Sequence, residues 1–60
     1  MSELFDIDQA AAYLNMKPRT LRSWVAQGYI PYVRLGPGGR GRLRFKRESL
    51  ERWVNEQEAK

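Results

Sequence analysis

Arginine and lysine are the residues of this sequence whose number and spacing suggest chemistry. Residues 17 to 47 carry nine of them and no acid, whereas residues 1 to 16 carry a net charge of −3 and residues 48 to 60 a net charge of −2. A basic segment between two acidic ends predicts a localised patch that attracts polyanions and speeds their association. The alternative is a merely solvated surface, but such surfaces usually mix both signs of charge.

One group of cations falls early in a predicted helix, with two hydroxyl residues among them. Side chains near the N-terminal end of a recognition helix read base edges; arginine pairs bidentately with guanine, and serine or threonine can contact bases or phosphates. Arginines on a helix face can also serve solubility alone, but cations at a helix N-terminus are mildly unfavourable for the helix dipole and so need another reason. We predict DNA contacts from Lys17, Arg19, Thr20, Arg22 and Ser23, without assigning bases or phosphates to each.

The other group lies in RLGPGGRGRLRFKR, residues 34 to 47, which holds five arginines and a lysine. The segments YVRL and RLRF alternate with period two, which predicts a β-hairpin over about residues 32 to 45, joined by the six-residue loop GPGGRG. We expect Val33, Leu35, Leu43 and Phe45 to pack on one face, and the arginines with Lys46 to form a cationic ladder on the other. A hairpin of this kind can act as a wing, a projection whose tip approaches a DNA duplex. We therefore predict DNA contacts from Arg34, Arg40, Arg42 and Arg44.

The glycines of this loop also spell G-x-G-x-x-G, for which other interpretations exist. A dinucleotide-binding fingerprint needs a helix after the glycines, but RLRF alternates like a strand and Pro37 removes an amide. A plain hairpin loop explains the glycines, which supply positive φ, but not the arginines. A disordered arginine–glycine segment that binds RNA would need a longer repetitive tract.

The elements that must position these cations begin with two helices. In DIDQAAAYL, Asp6 and Gln9 predict a capping box, and Ile7, Ala10, Ala11 and Leu14 share one face. After the three-residue break NMK, a second helix is predicted from Pro18 to about Gln27, with Gly28 as its stop. Its inner face is predicted to carry Pro18, Leu21, Trp24 and Val25, and its outer face Arg19, Arg22, Ser23 and Ala26.

A third helix is predicted over about residues 47 to 58, with an apolar stripe of Leu50, Trp53 and Val54. Two helices joined by a tight turn and followed by a hairpin form a winged helix-turn-helix, mainly α with a small two-stranded antiparallel wing. We expect a single domain over residues 1 to 60. The predicted core comprises Leu4, Ile7, Ala11, Leu14, Met16, Leu21, Trp24, Val25, Ile30, Val33, Leu35, Leu43, Phe45, Leu50, Trp53 and Val54.

Composition excludes several classes of function. Sixty residues without cysteine or histidine offer no disulfide framework, thiolate or imidazole metal ligand, or neutral-pH proton shuttle. A chain of this size buries only about 60% of the surface that it exposes when unfolded, which leaves little room for an enzyme's cleft. The acidic start MSELFDIDQ is unlike a signal peptide, and no apolar run approaches a membrane span. We expect a cytoplasmic protein that is not an enzyme, binds no cofactor or metal and does not contact a membrane.

Taken together, QAAAYLNM, KPRTLRSWVAQGYIP, YVRLG, LRF and RESLERWV resemble the excisionase and MerR-like winged helix-turn-helix family over residues 4 to 54. The resemblance implies a recognition helix in the major groove and a wing on adjacent backbone or minor groove. Arg19, Thr20, Arg22 and Ser23 fall on the family's recognition helix, and Arg40 and Arg42 on its wing. Two departures are Lys17, where the family often has an N-cap residue such as serine, and the longer, glycine-rich loop GPGGRG.

The resemblance implies two roles. The one that we predict is that of a sequence-specific double-stranded DNA-binding protein, a recombination directionality factor of a phage or integrative element that binds and bends attachment-site DNA beside an integrase. The other is a small transcriptional regulator of the same fold. Neighbouring copies on tandem sites, or an integrase partner, would add to the modest affinity of one module. A different class, a protein-interaction module that binds an acidic partner, predicts no binding to any duplex.

Overall fold

The structure is a computed structural model that describes residues 3–39 and 41–59. Its helices and strands confirm the mainly α architecture with a small β wing that the sequence predicts. The predicted wing residue Arg40 lies outside the described residues. In chain order the elements are β1 (Leu4–Phe5), α1 (Ile7–Tyr13), α2 (Pro18–Ala26), β2 (Val33–Leu35), a 3₁₀ turn (Pro37–Gly39), β3 (Arg42–Lys46) and α3 (Arg47–Glu56).

Helix α1 begins with the predicted capping box. The backbone amide of Gln9 donates to Asp6 Oδ1 at 2.8 Å, and the backbone amide of Asp6 donates to Gln9 Oε1 at 3.0 Å. Two amides near the helix start, which lack partners within the helix, are thereby satisfied. A helix of seven residues is too short to be stable alone, so this start and its packing against the core hold it in place.

The turn between α1 and α2 has the geometry of a Schellman motif. Asn15 adopts a positive φ of 57°, and its amide donates to the Ala12 carbonyl at 3.1 Å. The amide of Met16 donates to the Ala11 carbonyl at 2.9 Å. These two bonds satisfy the last carbonyls of α1 and direct the chain into α2. Lys17 is the N-cap of α2 and makes no side-chain capping bond, as the absence of serine there predicts.

The other end of α2 has the same geometry, built on the predicted stop residue. Gly28 has φ 69°, its amide donates to the Val25 carbonyl at 3.0 Å, and the amide of Tyr29 donates to the Trp24 carbonyl at 2.9 Å. The rings of Tyr29 and Trp24 meet edge to face with centroids 5.2 Å apart, which supplies the apolar contact typical of this motif. Both ends of α2 are therefore set by local sequence.

The sheet has three strands in the order β1-β3-β2, so the predicted hairpin gains a strand on its far side. Strand β1 was not predicted; its two residues pair with the end of β3, Leu4 opposite Lys46 and Phe5 opposite Phe45. Directly opposite residues of an antiparallel pair project to the same face. Leu4 therefore shares a face with Lys46 and is 43% exposed, which corrects its place in the predicted core.

The register of the hairpin overturns the predicted division of its two faces. Val33 lies opposite Arg44, Arg34 opposite Leu43, and Leu35 opposite Arg42. The arginines of β3 thus share a face with Val33 and Leu35, not with Arg34. The loop between Leu35 and Arg42 has six residues, so odd-numbered positions of β2 pair with even-numbered positions of β3. A register shifted by one residue would exchange the two faces of a strand. The outer face carries Leu4, Val33, Leu35, Arg42, Arg44 and Lys46; the inner face carries Phe5, Arg34, Leu43 and Phe45.

The inner face of the sheet packs against the helices to form the core. Phe45 is fully buried, and Phe5 contacts the ring of Tyr13 on α1 at 5.5 Å between centroids. Two further predicted core residues are exposed: Leu35, which lies on the outer face, is 47% exposed, and Val54, on α3, is 42% exposed. The buried core comprises Ala10, Ala11, Leu21, Val25, Ile30, Phe45 and Leu50, with Phe5, Ile7, Leu14, Met16, Trp24, Leu43 and Trp53 packed around it.

An aromatic cluster joins the end of α2 to α3. The predicted core residues Trp24 and Trp53 lie 5.9 Å apart between centroids, and Tyr29 completes the cluster with an edge-to-face contact to Trp53 at 5.7 Å. The indole Nε1 of Trp53 donates to the Tyr29 carbonyl at 3.1 Å, and the Tyr29 hydroxyl donates to Gln57 Oε1 at 3.3 Å. These contacts tie the stop of α2 to the last helix.

The loop glycines confirm a closed hairpin loop. A Cβ on Gly36, whose φ is 134°, would lie 2.7 Å from the Cα of Gly41, and a Cβ on Gly41 would overlap the Leu35 carbonyl. Only glycine fits where the two chains approach so closely. Strand β3 follows this loop, so the helix that a dinucleotide fingerprint requires is not there.

None of the helices within residues 3–39 and 41–59 has the length and apolar character needed to cross a bilayer.

Candidate nucleic-acid interface

Helix α2 separates an apolar buried face from a cationic exposed one. Leu21 and Val25 are 0% and 7% exposed, and they anchor the helix in the core. Arg19 and Arg22 are exposed on the other side. At about 100° per residue, Arg19 lies about 120–160° from the two buried positions, whereas Arg22 lies about 60° from Val25, at the edge of the exposed face. The predicted division of α2 into a packing face and a free face is confirmed for Leu21, Val25, Arg19 and Arg22, but Pro18 is exposed at the start of the helix.

The hydroxyl residues of α2 differ in exposure. Ser23 is exposed, and its Oγ accepts a hydrogen bond from Gln27 Nε2 at 3.1 Å. Because Ser23 acts as an acceptor in that bond, its hydroxyl proton can still be donated to a ligand. Thr20 is half-buried at the flank of the helix, and Lys17 is exposed at its start. Arg19, Arg22 and Ser23 are therefore the polar side chains of this face that are most exposed to a ligand. Lys17 lies beside them at the helix N-terminus.

The wing, formed by β2, the loop of residues 36–41 and β3, presents its cations on two faces. Arg42 is exposed on the outer face. Arg44 is half-buried on the same face, and its Nη1 donates to the Leu43 carbonyl at 2.7 Å. Arg34 belongs to the inner face at the edge of the sheet, where its guanidinium carbon lies 5.9 Å from the centroid of the Tyr32 ring. The prediction that Arg34 shares one cationic face with Arg42 and Arg44 is therefore wrong.

The outer face also carries Lys46, which belonged to the predicted cationic ladder, and Leu35, which was expected in the core; neither was among the predicted DNA contacts. Lys46 is exposed and shares this face with Arg42 and Arg44, and Leu35 lies directly opposite Arg42. The even number of loop residues was a signal for the second, because it pairs odd positions of β2 with even positions of β3 and so places Leu35 on the face of Arg42. The position of Lys46 follows from the alternation of β3 alone.

The charges of this surface are not neutralised within the part of the chain that the structure describes. The ion pair found there joins Arg47 Nη1 to Glu3 Oε1 at 3.2 Å, and both side chains are more than half exposed. Within residues 3–39 and 41–59, the cations of α2 and of the wing form no ion pair with a carboxylate. Their charge is thus available to a polyanion. Whether α2 and the wing contact one and the same duplex stays a prediction.

Comparison with known proteins places the chain in a family. Residues 4–58 match the family model of the helix-turn-helix domain, which covers nearly the whole chain, so the chain belongs to that family. Helix-turn-helix domains bind DNA, and the second helix of the motif lies in the major groove. This chain is a DNA-binding helix-turn-helix domain, in which α1 and α2 form the motif and β2 and β3 form a wing.

A curated relative carries the same domain within a longer protein. Over 53 residues, 88% of this chain, the sequence is 45% identical to a protein named transcriptional repressor DcmR from Methylorubrum extorquens. The matched region makes up 19% of that protein, so the chain spans about a fifth of its relative's length. No solved structure matches this chain.

Proposed function

We propose that this domain binds a specific sequence in double-stranded DNA, with α2 in the major groove and the wing on the adjacent backbone or minor groove. The observation that carries the proposal is the exposed face of α2, which presents Arg19 and Arg22 while Leu21 and Val25 are buried in the core. A Schellman turn at the end of α1 leads into α2 and a second one ends α2, so its cations are presented on a positioned element.

Each cation has a role that its position favours. Arg19 and Arg22 would read guanine edges, since a guanidinium pairs bidentately with the O6 and N7 atoms of guanine. Ser23 would donate to a base or a phosphate, with Thr20 beside it. Lys17, at the N-terminus of α2, would neutralise a phosphate.

The wing would add phosphate contacts from its outer face. Arg42 is exposed on that face, and Arg44, which is half-buried there, would contribute through the guanidinium N–H groups that do not bond the Leu43 carbonyl. Arg34 would contribute less, since it lies on the other face against Tyr32.

The role that we favour is regulation of transcription. A relative that is 45% identical over this domain is named a transcriptional repressor, and a bound domain can block access to overlapping DNA. Sequence-specific binding of this kind needs no catalytic step.

Recombination directionality is the second role, favoured by the resemblance of QAAAYLNM, YVRLG and RESLERWV to excisionase-type domains. It predicts that the domain bends attachment-site DNA and binds there cooperatively with an integrase or with neighbouring copies. A footprint on candidate DNA with and without a recombinase separates the roles, because only the second predicts a footprint that the recombinase extends.

Selection of bound sequences from a random duplex library, followed by titration of the selected and a scrambled duplex at several salt concentrations, tests DNA binding itself. We expect affinity to fall steeply as salt rises, since each neutralised phosphate releases counterions. Arg22→Ala should weaken binding to the selected duplex by about 1–3 kcal/mol and to the scrambled duplex much less. Lys17→Ala should weaken both equally and lower the salt slope by about one.

Arg52→Ala on α3 is a matched control, because it removes an exposed arginine from a helix outside the proposed interface. We expect wild-type affinity from this variant. Equal losses from Arg22→Ala and Arg52→Ala would contradict the assignment of α2. Wild-type protein that binds no duplex at low salt would favour a protein-interaction module instead.

A further inference from the structure

The outer face of the wing carries two apolar side chains, one of them exposed, where an antiparallel sheet normally presents polar ones. Leu35 is 47% exposed and lies directly opposite Arg42, and Val33 lies directly opposite Arg44. A sheet with one face on the core usually alternates apolar residues inward and polar residues outward. Strand β2 does the reverse: Arg34 is on the inner face, and its two apolar neighbours are on the outer face.

The partner that fits this mixed face is the backbone of a duplex. Arg42 is exposed and, within the described residues, has no carboxylate partner, which favours an anionic ligand. The walls of a minor groove consist of deoxyribose rings bordered by phosphates, so an apolar side chain beside an arginine matches them in both respects. A purely ionic contact would leave Leu35 without a function.

We infer that Leu35 packs against deoxyribose in the wall of a minor groove while Arg42, opposite it, contacts the neighbouring phosphate. Leu35 adjoins Gly36, which lies so close to Gly41 across the loop that neither position has room for a side chain. The slender loop base lets the backbone beside Leu35 come close to a duplex. This contact presupposes that the domain binds DNA as proposed above, and it makes Leu35 a binding residue among the cations.

The chain offers a matched pair of leucines to test the contact. Leu4 and Leu35 lie on the same outer face with similar exposure, 43% and 47%, but Leu4 pairs with Lys46 and Leu35 with Arg42, at opposite ends of β3. The affinity of Leu35→Ala and Leu4→Ala for the selected duplex would be measured by fluorescence anisotropy at several salt concentrations. Thermal unfolding of each variant shows whether it is folded.

For Leu35→Ala we expect about a three- to tenfold loss of affinity, the effect of burying roughly the exposed half of a leucine. The salt slope should stay at the wild-type value because no counterion is released by an apolar contact. Arg42→Ala should lower the slope by about one, and Leu4→Ala should bind as wild type. Leu35→Gln, which keeps the length of the side chain, should lose affinity as well and provides a second test should the alanine variant unfold.

Wild-type affinity in folded Leu35→Ala and Leu35→Gln would overturn the contact, as would an equal loss in Leu4→Ala. Unchanged DNA affinity with reduced self-association in sedimentation would overturn it in favour of an interface between copies of this chain. Failure of the wild-type protein to bind any duplex would instead overturn the proposed function, so the two failures are distinguishable.

Discussion

Helix α2 and the wing have similar sequence patterns, but their structures follow from different determinants. In both, cations alternate with apolar residues at the period of the element. For α2 the pattern correctly predicts that Leu21 is buried and Arg22 exposed. For the wing the same reasoning puts Leu35 in the core, whereas it is 47% exposed on the face of Arg42.

A helix and a strand differ in how far the placement of their side chains depends on neighbouring elements. A helix closes its hydrogen bonds within itself, so the angle between two of its side chains follows from their spacing alone. Alternation in a strand assigns residues to two faces but does not say which face of the neighbouring strand each one joins. That choice is made by the register, which in this hairpin pairs Leu35 with Arg42.

The largest effect should come from breaking the link between the wing and the helices. Phe45 is a fully buried residue of β3 that belongs to the same core as Leu21 of α2. Phe45→Ala should cost about 3–5 kcal/mol, comparable to the whole stability of so small a domain, and should unfold α2 with the wing. Thermal unfolding followed by circular dichroism measures this loss.

Leu21→Ala is the counterpart of that variant on α2, and Phe45→Leu is a milder control on β3. If the domain unfolds as one unit, Phe45→Ala and Leu21→Ala should both abolish helical signal and DNA binding at moderate temperature. A Phe45→Ala protein that keeps a folded α2 and binds DNA would show that the two regions are independent.

An intermediate effect should separate the two faces of the wing. Arg42→Ala should reduce DNA affinity by about 1 kcal/mol and lower the salt slope by about one, because Arg42 is exposed on the outer face. Arg34→Ala removes the same charge from the opposite face, so we expect a smaller loss. Anisotropy titrations of both variants at matched salt give the comparison; a larger loss for Arg34→Ala would assign the DNA to the inner edge of the wing.

The smallest effects should come from the two turns that bound α2. Asn15→Ala and Gly28→Ala should each lower the free energy of unfolding by about 1 kcal/mol, since both positions have positive φ. A Cβ on Gly28 meets no atom within 4 Å, so its cost is one of backbone conformation alone. Chemical denaturation measures both.

Asn15→Gly is the control for these turns because glycine adopts positive φ without strain. Glycine also raises the conformational entropy of the unfolded chain, which lowers stability slightly. We expect its free energy of unfolding to differ from wild type by less than that of Asn15→Ala. An Asn15→Gly variant that loses as much stability as Asn15→Ala would show that the asparagine side chain, not φ, is what matters there.

The features that could be predicted from the sequence are those that depend on residues close to one another in the chain. The capping box of Asp6 and Gln9, the start of α2 at Pro18, its stop at Gly28 and the two faces of its helix all arise within a few positions. Family motifs extend over the same short segments, which is why the helix-turn-helix could be predicted from them.

The features that join distant parts of the chain depend on how the segments pack in the folded protein. Strand β1 exists because Leu4 pairs with Lys46, and the hydrogen bond from Trp53 brings Tyr29 into the aromatic cluster. The face of Leu35 depends on a partner across a loop. Each of these features is a contact between two segments, and its free energy depends on the residues of both. The residue pattern of one segment therefore does not predict it.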